Sequence, residues 1–259
     1  EKKNQFRDNI ARSRHIMFYA SEENILSSGG PVIDGYDYLS STYPNVPAHI
    51  NFTNVGGQFH PDFDDFLART KAAVISSHVG DAAANSARMA SLRDDIPSLK
   101  SAYILFRINE NHRLEEDIFK SIVNGINGIF FWENQDPGIT APRDTYSGTN
   151  WGDVIARVGG YLAEIKPGLV APNRQYKPGY MMSRGDDNRY YVIATPTGNN
   201  LSVTGLPGNT QFDKLFYNPG TVTTNATGTL TDNTTGRIKI YRQKTSSSPT
   251  PSGNGVVGD

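Results

Sequence analysis

Five short apolar runs recur through the first two-thirds of the chain, and stretches of helical character lie between them. They are "HIMFYA" (15–20), "PAHINFT" (47–53), "AAVISSH" (72–78), "SAYILFRI" (101–108) and "GIFFWE" (128–133). Each has the length of a strand and is bounded by polar, Gly or Pro residues. "DAAANSARMASLRDDI" opens at Asp81, a good N-cap. "RLEEDIFKSIVNG" carries Ile118, Ile122 and Val123 on one face and ends in a glycine C-cap. "WGDVIARVGGYLAEI" repeats the pattern, and Lys166-Pro167-Gly168 follows it as a helix stop. Strand and helix in alternation predict a parallel α/β architecture, with near-continuously apolar strands covered on both faces. Five such strands make either an open doubly wound sheet or the second part of an eight-stranded barrel.

After Asn173 the texture changes. "PGYMMSR", "NRYYVIATPTG", "NLSVTGLPG", "KLFYNPG", "TVTTNATGTLTD" and "RIKIYRQ" are short, β-branched and aromatic, with Gly, Asn, Pro and Asp between them. This predicts a small antiparallel all-β domain, a β-sandwich. "KTSSSPTPSGNG" then reads as a Ser/Thr/Pro linker. The expected division is 1–172, a partial (β/α) barrel; 173–243, the β-sandwich; and 244–259, the linker, with a further domain tethered beyond it. The start at Glu1 rather than Met reads as a cut terminus.

Composition narrows the function. The 259 residues are 37% hydrophobic and 20% charged, with a formal net charge of -1. That is enough apolar material for a core without staples. The basic residues are spread along the chain, so no nucleic-acid partner is expected. No apolar run approaches the roughly 18 residues of a membrane span. The absence of cysteine excludes disulfides, thiolate metal sites and a cysteine nucleophile. "HPDFDDF" (60–66) gathers a His and three acids, and reads as a helix start rather than a calcium site. No cofactor or metal is expected. A nucleotide-binding reading lacks the Gly-rich loop that would cradle phosphates.

"RLEEDIFKSIVNGINGIFFWENQ", followed by "WGDVIARVGGYLAEIKPGLVAPN", resembles the last helix–strand–helix of TIM-barrel glycoside hydrolases, which closes onto a small C-terminal β-domain. "RSRHIMFYASEEN" resembles the fourth strand of those barrels, with "EEN" where Asp-Glu-Pro is usual; "YDYLSSTYPNVPAHINFT" resembles the helix and strand that follow. The resemblance implies a (β/α)8-type barrel of which strands four to eight are present, the first three lying before Glu1. It also implies a carbohydrate substrate and a secreted or cell-surface bacterial protein.

In such barrels the active site lies where strands end. Glycoside hydrolysis needs two carboxyl groups, about 5–5.5 Å apart in retaining enzymes. The resemblance puts them after strands four and seven. Glu23 takes the first place, as acid/base, and Glu110 the second, as nucleophile, with Glu133 its rival. Trp132 offers a ring face to a sugar. Arg107 sits where it can orient Glu110 or Glu23 and lower a carboxyl pKa. His78, Asn109 and Asn134 line the same ends. Each has a plainer reading: Glu23 and Glu110 as solvated loop or helix-start acids, Trp132 as packing under the rim, Arg107 as half of a structural ion pair. The competing function is a non-catalytic carbohydrate-binding or cell-surface protein on a degenerate barrel.

Overall fold

The computed structural model describes residues 18–22, 38, 41–42, 48–52, 74–78, 82–97, 100–107, 113–132 and 150–245. The Asp81 cap, the 60–66 segment and the linker beyond residue 245 lie outside them. Backbone contacts divide the chain into two units, Glu1–Val158 with Tyr176–Met181, and Gly159–Gln175 with Met182–Asp259.

The first unit is built on five parallel strands: β1 (Phe18–Glu22), β2 (Ala48–Phe52), β3 (Val74–His78), β4 (Ser101–Arg107) and β5 (Gly128–Trp132). They lie side by side in chain order, each parallel to the next. A doubly wound sheet reverses its strand order at a switch point; these five strands do not. The described connections, after β3 and after β4, are helical, as parallel neighbours require a crossover. Four strands form where the apolar runs predict. β1 runs on past the end of its apolar run, the ladder with β2 continuing through Ser21↔Asn51 and Glu22↔Phe52.

Helix α1 (Ala82–Asp95) packs against β3, β4 and helix α2 (Leu114–Val123). Met89, Leu92, Leu114, Ile118 and Phe119 are buried, as are Ile75, Ala102, Ile104 and Phe106 of the sheet. Glu115, Glu116 and Asp117 occupy the first turn of α2, where its dipole favours acids. The predicted glycine ends α2: Gly125 takes φ 95° and donates to Ile122 O. Arg93 then ties α1 to the following loop, donating to Gly125 O at 2.5 Å and Asn127 Oδ1 at 2.9 Å.

Helix α3 (Trp151–Glu164) ends as predicted. The residues that stop it form a short helix of their own. Pro167 falls in the first turn of a short helix α4 (Lys166–Leu169), where its missing N–H costs no hydrogen bond.

The second sheet has six strands: β6 (Gln175–Lys177), β7 (Tyr180–Arg184), β8 (Tyr190–Ala194), β10 (Gln211–Leu215), β11 (Gly220–Thr223) and β13 (Lys239–Gln243), in the order β11-β10-β13-β8-β7-β6. β9 (Leu201–Val203) and β12 (Leu230–Asp232) form a separate antiparallel pair. The register puts Val192, Ala194, Lys239, Tyr241 and Lys214 on one face of the large sheet, and Tyr191, Ile193, Ile240 and Arg242 on the other. The first face meets β12 through Asp232. The second meets the C-terminal end of α3, where Arg242 pairs with Glu164 at 3.1 Å. Both faces are therefore covered, and "YYVIA" is apolar at every position rather than alternating.

Candidate functional site

Parallel strands end along one edge. Here that edge runs Glu22, Phe52, His78, Arg107, Trp132. The register fixes which positions share a face. His49 pairs with Tyr19 and Val74, Ser76 with Tyr103, His78 with Leu105, and Arg107 with Trp132. By the two-residue period of a strand, Ile75, Ala102, Ile104 and Phe106 share one face, and all four are buried. His49 and Tyr103 share the other. Three of the expected site positions, 78, 107 and 132, are the last residues of three adjacent strands.

The other expected residues, Glu23, Asn109, Glu110, Glu133 and Asn134, lie outside the described residues. In sequence Glu23 follows β1 directly, Glu133 follows β5 directly, and Glu110 comes three residues after β4.

His49 and Tyr103 meet edge to face, ring centroids 6.2 Å apart and planes at 69°. His49 is 1% exposed, and burial lowers its imidazole pKa to about 4, so it is neutral at pH 7. The Tyr103 ring lies across Gly128: a Cβ there would stand 2.6 Å from two ring carbons. The glycine that opens "GIFFW" is needed for this close approach. His49 stands second in β2, away from the edge where the strands end. Conserving the fold is the ordinary task of that end of a parallel sheet. The sequence reading passed over His49 and Tyr103. The signal was a His inside "PAHINFT" and a Tyr inside "SAYILFRI", runs read as near-continuously apolar.

The second unit holds a different cluster. Asp232 is buried on β12. Its Oδ2 accepts from Tyr241 Oη at 2.5 Å and lies 2.9 Å from Lys214 Nζ. Its Oδ1 accepts from Thr234 N at 2.8 Å and lies 3.8 Å from Lys239 Nζ. Lys239 also donates to Asn199 O at 2.5 Å and Asp232 O at 2.9 Å. Burial alone would raise the Asp232 pKa. The hydrogen bonds from Tyr241, Thr234 and Lys214 outweigh it and hold the carboxyl well below the usual range. Burial and the same carboxylate push the Tyr241 phenol far up. A second acid, Asp187, accepts from Tyr191 Oη at 2.6 Å and Arg189 Nε at 2.7 Å. Burial and that hydrogen bond push Tyr191 up to about 12. These groups satisfy one another, so their chemistry is structural.

Among the described residues, no group of three or more His, Asp or Glu is placed to hold a metal ion. No described helix is long and apolar enough to cross a membrane.

No protein-family model matches the chain, and no curated protein matches it. Among solved structures it is similar to an Anoxybacillus alpha-amylase, described as a new glycosyl hydrolase subclass, with a TM-score of 0.47 and 12% identity. The likeness covers 83% of this chain and 56% of that one, so the chain spans little more than half the length of the amylase.

Proposed function

We propose that the parallel unit is part of a (β/α)8-type barrel, its strands being numbers four to eight. The chain is then a glycoside hydrolase-like protein that cleaves glycosidic bonds of a poly- or oligosaccharide with retention. The observation that carries the reading is the common strand edge: five parallel strands in chain order, with positions 78, 107 and 132 ending three neighbours. Glu23 protonates the leaving oxygen and then activates water; Glu110 attacks the anomeric carbon. His78, Arg107, Asn109, Trp132 and Asn134 hold the sugar. The division at 172 and 243, secretion from or display on a bacterial cell, and a tethered further domain belong to the same proposal.

Strands in a sheet lie about 4.8 Å apart, so three intervals separate β1 from β4 by about 14 Å along the sheet. Retention needs carboxyl groups about 5–5.5 Å apart. The proposal therefore requires a sheet curved enough for the loops after β1 and β4 to lean over a common axis. A second reading pairs Glu110 with Glu133. It is favoured by the Arg107↔Trp132 register, which sets the exits of β4 and β5 one strand interval apart.

Glu23→Gln, Glu110→Gln and Glu133→Gln, each in the full-length protein and assayed on a panel of polysaccharides, test both. Glu23→Gln and Glu110→Gln should lose turnover by roughly 10²–10⁴-fold, with sugar retention and Tm unchanged. Full turnover in Glu23→Gln removes that residue, and loss in Glu133→Gln instead selects the second pair. Sugar binding by a wild-type protein that turns nothing over selects the degenerate-barrel binder.

A further inference from the structure

We draw no further inference here: the strongest candidate, the exposed small-residue face of α3 formed by Gly152, Ala156, Gly159, Gly160 and Ala163, is an unpartnered helix surface, and nothing in the structure shows what covers it.

Discussion

The two sheets handle polar residues in opposite ways. In the antiparallel unit the buried charges are drawn inward and matched, Asp232 with Lys214, Lys239 and Tyr241, while the half-buried Asp187 pairs with Arg189 and Tyr191. Breaking such a set leaves a buried charge without a partner, so its members answer to stability. In the parallel unit Ile75, Ala102, Ile104 and Phe106 supply an apolar core on one face of the sheet, and on the other the buried His49 is held neutral against the Tyr103 ring. The lesson is that burial of a charged residue does not mark a site; placement along a shared strand edge is the better guide.

The sharpest way to break this contrast is at Asp232. Asp232→Ala strands two lysines and a tyrosine, and should cost about 3–5 kcal/mol of stability, read by denaturant unfolding. Turnover measured well below the melting temperature should not change. The sign with pH follows from the depressed carboxyl: its stabilisation is complete above the unfolded value of about 3.9 and is lost as pH falls through the folded value. Asp232→Asn should therefore flatten the acid limb of the stability curve. An unchanged limb would mean that the network carries no net charge coupling.

His49 sharpens the comparison from the other unit. Its folded pKa of about 4 lies below the unfolded value of about 6.5, so the unfolded chain binds the proton more tightly. Stability is then complete above pH 6.5 and falls as the pH drops from there to about 4. The difference of 2.5 units, at about 1.36 kcal/mol each, bounds the loss at about 3 kcal/mol. His49→Gln should lose less than wild type between pH 7 and 4.5. Equal losses would place the imidazole in solvent.

The smallest expected effect lies at Gly128. Gly128→Ala forces the Tyr103 ring to move, and should cost about 1–3 kcal/mol. The tyrosine ring-proton shifts should change with it. A silent substitution would mean that the ring over β5 is easily displaced.

Much of the fold was legible in the sequence because its elements are local. Asp and Glu at helix starts, Gly125 after α2 and the spacing of apolar residues in "DIFKSIV" act within a turn or two. The end of β1 falls past its apolar run because it is set by pairing with Phe52, thirty residues on. The short helix around Pro167 was hidden because proline stops one helix and starts another with equal ease. The meeting of His49 with Tyr103 needed the inter-strand register, which no single run contains. The Asp232 cluster joins three strands and left no trace in the sequence.

The central claim is that Glu23 and Glu110 face each other across the edge where the parallel strands end. The most direct test is the separation of their carboxyl groups in a crystal structure of the full-length protein. The account predicts about 5–5.5 Å, with Trp132 beside the gap. A separation near the flat-sheet spacing of about 14 Å would contradict it.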